Sequence, residues 1–264
     1  MPMKEEYKIK TEPMELSRSD GNRIRGMIFR PDEEDGTFPA LIFSHGFGGC
    51  YKELERRASS YARSGIVCVL FDFCGGGPAS ESDGTMLDMT VMTEVSDLEA
   101  VMNLIVKKPY VNASSIYLQG ESQGGLVSAI VAEKRADSIK GLILWYPAFI
   151  IPDDARKRLR SGIHKAFDTE ISAEYDTAAI NIDINKIQKG YSRPVLILHG
   201  DKDDIVPPEY SAAAVRNYRF ASIRIINGAG HGFDGTDIEK AEMMSIQFIM
   251  VNETLRADAG RLRI

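Results

Sequence analysis

Cysteine is scarce in this chain. Only Cys50, Cys68 and Cys74 occur among 264 residues. Their odd number and the lack of a Cys-x-x-Cys pair argue against a disulfide scaffold or a thiolate zinc site, and fit a reducing cytoplasm. Long apolar runs are missing too: none approaches the ~20 residues that a membrane-spanning helix needs, so no membrane partner is expected. Positive charge is in deficit. With 32 Lys and Arg against 38 Asp and Glu the net charge is -6, the opposite of the basic face that nucleic acid or an anionic lipid surface selects. The start, Met1–Lys8, is charged and holds no apolar segment, so no signal peptide is expected. There is no internal repeat or low-complexity tract. What remains, 44% hydrophobic and 27% charged residues, is enough for one large core, and a single domain over residues 1–264 is expected.

From about Tyr7 to Phe29 the pattern is two antiparallel strands joined by the turn-forming Ser19-Asp20-Gly21-Asn22. After the polar loop 32–37, short and almost wholly apolar runs alternate with helical ones. Ala40–Phe43, Ile66–Phe71, Ser115–Leu118, Ile139–Trp145, Val195–Leu198 and Ile223–Ile226 read as strands buried on both faces. This is the signature of an α/β fold, a mostly parallel sheet with helices on each side. Three apolar stripes at helical spacing lie between them: Leu54, Ala58, Tyr61 and Ala62; Val95, Leu98, Val101, Met102 and Ile105; and Ile238, Ala241, Met244, Phe248 and Val251. Each is read as plain core. One segment breaks the alternation. Residues 147–192 are charged, contain no buried-strand run, and are far longer than an ordinary connection, so a small inserted lid is expected there. Its basic cluster of Arg156, Lys157, Arg158 and Arg160 is read as a solvated helix face.

Between the run ending at Leu118 and the helical run 123–133 lies Gly120-Glu121-Ser122-Gln123-Gly124. Gly-x-Ser-x-Gly at a strand-to-helix junction is a nucleophile elbow: the serine sits in a strained turn with its hydroxyl held above the sheet, and small neighbours avoid a clash. The helix that follows points its positive end at a developing oxyanion. Alone the pentapeptide is a weak signal. Its context raises it.

A serine hydroxyl needs a base, and the base needs an acid to fix its tautomer. Of four histidines, His231 in Gly228-Ala229-Gly230-His231-Gly232-Phe233 follows the last strand and precedes the last long helix, the place of a catalytic histidine in the order serine, acid, histidine. The plain alternative is a turn histidine capping that helix. His199 ends a strand and is read as locally bonded, and His164 falls in the lid with no motif around it. The acid is expected in His199-Gly200-Asp201-Lys202-Asp203-Asp204. Asp203 is preferred because the chain must leave the strand before a carboxylate can reach back, with Asp201 and Asp204 as alternatives. Ser44-His45-Gly46-Phe47-Gly48-Gly49 after the first parallel strand is suited to an oxyanion loop. The backbone N–H groups of Phe47 and Gln123 are the expected donors. His45 is read as a loop organiser.

These three motifs in this order resemble the α/β-hydrolase superfamily over about residues 38–255. Phe71-Asp72-Phe73 leading to Ser82-Asp83-Gly84, then Asp88-Met89-Thr90-Val91 and Trp145-Tyr146-Pro147-Ala148, are similar to the bacterial cinnamoyl and feruloyl esterases. Cys74-Gly75-Gly76-Gly77-Pro78 departs from the polar Asn-Gly-His-Gly type of run expected of that group. The resemblance implies Ser122, Asp203 and His231 as triad, no metal or cofactor, and a lid shaping a pocket for an aromatic acyl group. Phe47, Trp145, Tyr146 and Phe149, with Tyr51 and Phe233, are the aromatic pocket candidates, and for each except Phe47 plain core packing stays as the alternative. The expected partner is a small-molecule ester, with a homodimer left open. Peptidase or aminopeptidase and thioesterase activities use the same machinery and stay as alternatives, as does a non-catalytic ligand-binding protein. For a base of ordinary pKa, near ~6.5, activity is expected to fall as pH drops through about 6 to 7.

Overall fold

The computed structural model describes residues 6–261; Met1–Glu5 of the charged start lie outside the described residues. Strands β1 (Ile9–Ser17) and β2 (Arg23–Pro31) form an antiparallel hairpin. Its turn closes through Arg18 N–H to Asn22 O at 2.8 Å, with Gly21 at φ +92°, a conformation that needs a residue without Cβ. Six further strands complete an eight-stranded sheet. They are β3 (Phe38–Ser44), β4 (Val67–Phe71), β5 (Val111–Glu121), β6 (Gly141–Trp145), β9 (Val195–Gly200) and β10 (Ala221–Ile226). The spatial order is β1-β2-β4-β3-β5-β6-β9-β10, with β2 antiparallel to β4 and every later pairing parallel. The expected mostly parallel α/β architecture is therefore the one observed.

Side chains alternate between two apolar layers. Ala40, Ile42, Val69, Leu118, Leu144 and Ile197 point into one core, which also takes α2 (Val91–Ile105), α3 (Gln123–Lys134) and α7 (Pro208–Asn217). Leu41, Phe43, Leu70, Tyr117, Ile143 and Leu198 point into the other, under α1 (Glu55–Arg63) and α8 (Gly235–Arg261). Period-two alternation with both faces apolar is the reason the runs read as continuous hydrophobic stretches. The stripes on α1 and α2 are buried throughout. On α8 the stripe differs from expectation. Ala241, Ser245 and Ile249 are fully buried, whereas Val251 is 50% exposed. Ile238, Met244 and Phe248 of the stripe are partly buried and pack against the core under α1 and α8.

Residues 147–192 carry α4 (Ile151–Ser161), a two-residue hairpin β7 (Lys165–Ala166) and β8 (Thr169–Glu170), α5 (Ala173–Ala179) and α6 (Ile184–Gly190). Local chemistry starts and stops these short helices. Ser172 Oγ accepts from Tyr175 N–H and Asp183 Oδ1 from Lys186 N–H, each satisfying an otherwise unpaired helix donor. Gly162 ends α4 at φ +68°. The basic cluster there is not all solvated: Arg158 is paired with the buried Asp176 at 2.7 Å. Among the described residues no helix is long and apolar enough to cross a membrane.

The six neighbouring parallel strands, β4, β3, β5, β6, β9 and β10, run the same way and end at one edge of the sheet, so their C-terminal loops meet there. Removing a central side chain tests the two-layer core: Ile42→Ala is expected to lower unfolding free energy by about 2–5 kcal/mol, read from a urea titration.

Candidate active site

Ser122 follows β5 directly and begins α3 with φ +51° and ψ -119°, a left-handed conformation that costs a non-glycine residue about 1–3 kcal/mol. Neighbouring backbone holds it there. Ser122 N–H donates to Trp145 O at 3.0 Å, and Ala148 N–H donates to Ser122 O at 2.8 Å. The flanking glycines are steric necessities. A Cβ at Gly120 would stand 2.1 Å from Gly124 O, and one at Gly124 would stand 2.2 Å from Ser44 O.

His231 comes from the loop after β10 and Asp203 from the turn after β9. His231 Nε2 lies 2.9 Å from Ser122 Oγ, and Nδ1 lies 2.8 Å from Asp203 Oδ2. A carboxylate oxygen can only accept, so Nδ1 carries the ring proton and the Nε2 lone pair faces the serine hydroxyl. Asp203 is buried. Burial by itself would raise its pKa, but hydrogen bonds from His199 and His231, and then from Val206 N–H, outweigh it and hold the carboxyl well below the usual range. Asp201 and Asp204 are exposed, and Asp201 instead accepts from Gly228 N–H. The structure thus brings together Ser122, His231 and Asp203, and leaves the other two aspartates outside.

The loop after β3 approaches from the other side: a Cβ at Gly46 would lie 3.3 Å from Ser122 Cβ. His45 is buried and holds this loop, donating from Nδ1 to Gly46 O at 2.8 Å and accepting Phe73 N–H at Nε2 at 3.2 Å. Desolvation keeps its pKa below the ordinary histidine value. Among the described residues neither Phe47 N–H nor Gln123 N–H donates a hydrogen bond. Both therefore remain available beside the serine. The Gln123 side chain is tied down on two sides: Tyr175 OH donates to its Oε1 at 2.6 Å, and its Nε2 donates to Glu94 Oε2 at 2.9 Å. Burial pushes the pKa of the Glu94 carboxyl well above the usual carboxylate range, against the opposing effect of the hydrogen bond from Gln123.

A cleft of about 70 Å³ opens at Ser122 and Gln123. Of the four substrate-binding candidates it is lined by Phe47 alone, and Trp145, Tyr146 and Phe149 must be corrected. Trp145 ends β6 pointing into the core under α1 and α8. There its indole N–H donates to Ser245 Oγ at 3.1 Å and the Arg57 guanidinium lies 5.1 Å from its ring. Tyr146, at φ +38°, is directed behind the histidine: its ring packs edge-on against His231 at 4.9 Å, and its OH donates to Glu121, which pairs with buried Arg57. Phe149 is buried beneath α4 and borders a separate groove with Pro152 and Tyr210. Tyr51 and Phe233 are buried and do not reach the cleft either.

Lid residues line it instead: Asp154 and Arg158 from α4, Phe167 from the hairpin, and Tyr175 from α5, with Ile205 and Val206 from the acid turn. Phe167 is 65% exposed and lies 5.9 Å from the Phe47 ring. A signal for two of these was present. Asp154 and Arg158 are four apart and share one helix face. Among the described residues no cluster of three or more His, Cys, Asp or Glu side chains is disposed to hold a metal ion.

Because the Asp203 pKa is lowered in the folded protein, its ionised form contributes stability that is present above the unfolded value of about 4 and lost as pH falls below it. Asp203→Asn is expected to flatten that acid-side loss in a series of urea titrations. Tyr146→Phe keeps the ring on His231 but withdraws a donor from a buried carboxylate. It is expected to cost about 1–3 kcal/mol of stability in the same assay.

The profile of the family described as serine aminopeptidase, S33, matches residues 37–169, half of the chain. The protein bem46 of Schizosaccharomyces pombe is 26% identical over 211 residues, which is 79% of this chain and 66%, just under two thirds, of its own length. The uncharacterized peptidase YtmA of Bacillus subtilis is 23% identical over 198 residues, 73% of this chain and 74% of that protein. Among solved structures, Est1E from Butyrivibrio proteoclasticus with ferulic acid bound is similar at TM-score 0.81 and 28% identity, covering 91% of this chain and 99% of Est1E. The strand order, the serine elbow and these matches agree: this chain belongs to the serine aminopeptidase S33 family of α/β hydrolases.

Proposed function

We propose that the chain is a serine carboxylic-ester hydrolase acting on small or aromatic esters of the feruloyl type. The observation that carries this reading is the unbroken hydrogen-bonded line from Ser122 Oγ through His231 to Asp203. Ser122 attacks the ester carbonyl carbon while His231 Nε2 takes the hydroxyl proton, and Asp203 stabilises the imidazolium across Nδ1. The tetrahedral oxyanion is received by the N–H groups of Phe47 and Gln123. His231 returns its proton to the departing alcohol, leaving an acyl-enzyme. Water then repeats the sequence and frees the acid.

The aromatic preference is supported by the ferulic acid bound to the related Est1E and by the rings of Phe47, Phe167 and Tyr175 around the cleft. At about 70 Å³ the cleft is well below the ~300–1,000 Å³ of drug-sized sites. A short acyl group enters it as it stands, and an aromatic one enters with displacement of Phe167 from Phe47. A second reading, amide cleavage by an aminopeptidase, is favoured by the family's description and by Asp154 in the cleft lining, whose carboxylate, here on Lys157 at 2.9 Å, would exchange that partner for a free α-ammonium group. Three free, buried thiols suit a reducing cytoplasm, the compartment we assign to it.

Wild-type protein is expected to be labelled by a fluorophosphonate probe, and Ser122→Ala to lose both the label and roughly a millionfold in turnover. Initial rates on methyl ferulate, short p-nitrophenyl esters, aminoacyl anilides and acyl-CoA rank the substrate classes. The expected order has the esters first, and a dominant anilide rate would replace the ester reading with the peptidase one.

A further inference from the structure

His199, the penultimate residue of β9, is fully buried and has both ring nitrogens engaged. Its Nε2 lies 3.0 Å from Asp203 Oδ2, the same oxygen that receives His231 Nδ1 at 2.8 Å, and 2.9 Å from Val206 O. A carboxylate oxygen and a peptide carbonyl are both pure acceptors, so Nε2 must carry the proton that is shared between them. Ser211 Oγ stands 2.7 Å from Nδ1, with a hydroxyl able to donate to it. Ser211 is itself fully buried on α7. The second carboxylate oxygen, Oδ1, accepts Ile205 N–H at 3.0 Å and Val206 N–H at 2.8 Å.

We propose that His199 is a positioning residue of the catalytic machinery, an imidazole locked by Ser211 that orients the Asp203 carboxylate and shares its charge with His231. This rests on the triad reading above and extends it from three side chains to five. The physical consequence is a moderated base. Oδ2 divides its negative charge between two imidazole N–H groups, so it draws the His231 proton less strongly than a carboxylate with a single partner would. Loss of the His199 donor concentrates that charge on His231, favours the imidazolium, and moves the loss of activity on acidification to higher pH. It also removes one of the four donors that hold the carboxylate in place.

Other ionisable groups near this line keep their partners in the variants below. Tyr146 faces His231 from the turn after β6, with Glu121 and Arg57 paired to one another behind it. Asp201 and Asp204 of the acid turn are exposed. No further ionisable side chain is hydrogen-bonded to His199 among the described residues.

The test is the pH profile of kcat/KM on one p-nitrophenyl ester for the full chain and three variants. His199→Leu is expected to raise the acid limb by ~0.5–1 pH unit and to lower kcat about tenfold with KM little changed. His199→Gln places an amide N–H close to the former Nε2–H and is expected to return the limb toward wild type. Ser211→Ala touches neither Asp203 nor His231 and is expected to move the limb the same way by a smaller amount, which keeps the test decisive if the leucine variant does not fold. Lower activity in the variants with an unmoved acid limb would overturn the proposal and leave His199 a packing residue. A wild type that takes no fluorophosphonate label would instead overturn the triad reading, and this inference with it.

Discussion

The site depends on one residue being held where an L-amino acid resists going. Ser122 occupies the left-handed region at the junction of β5 and α3, and this local cost is tolerable only because the sheet edge around it is already built. Two backbone hydrogen bonds, one to Trp145 O and one from Ala148 N–H, tie it to the neighbouring strand's exit. Glycines at 120 and 124 remove atoms that would otherwise lie about 2 Å from peptide oxygens. The same crowding that forbids a side chain there brings the loop after β3 against the serine.

Around that fixed point the electrostatics are layered. Asp203 is an ionised carboxylate in a buried turn, which is costly unless donors surround it, and four of them do. Behind His231 a second buried set, Arg57, Glu121 and Tyr146, balances its own charge and presents a ring edge to the imidazole. On the opposite side Glu94 is pushed toward its neutral form and, with Tyr175, clamps the Gln123 side chain. The inserted lid thereby contacts the machinery directly, because Tyr175 belongs to the lid and Gln123 is the first residue of α3. Cleft shape and donor placement therefore share a structural element.

Much of this was legible in the chain. Parallel strands buried on both faces must be apolar at every position, so β3, β4, β6 and β9 announced themselves as short runs, with ends within two residues of the observed ones. Ser122, His231 and Asp203 were findable because each lies just after a strand, where the fold gathers loops at one edge. The lid was visible only as a break in the alternation. Its hairpin was hidden because strands of two residues have no period to detect.

Among the aromatic pocket candidates, Phe47 lines the cleft while Trp145 and Tyr146 took the core-packing alternative, for a geometric reason. Alternation along a strand and the turn that follows decide which face a ring takes, and Trp145 and Tyr146 went to the face away from the cleft. Arg158 read as part of a solvated helix face and His164 as a residue with no motif around it, until Asp176, farther along the lid, met both of them. His199 is the sharpest case. Its place at a strand end is written in the sequence, yet its sharing of Asp203 Oδ2 with His231 is a fact of three-dimensional proximity alone. Local periodicity and turn chemistry are properties of contiguous residues and determined the elements and their order. Which donors surround a buried carboxylate, and which side chains face a cleft, was decided only when distant segments packed, since those contacts exist nowhere along the unfolded polymer.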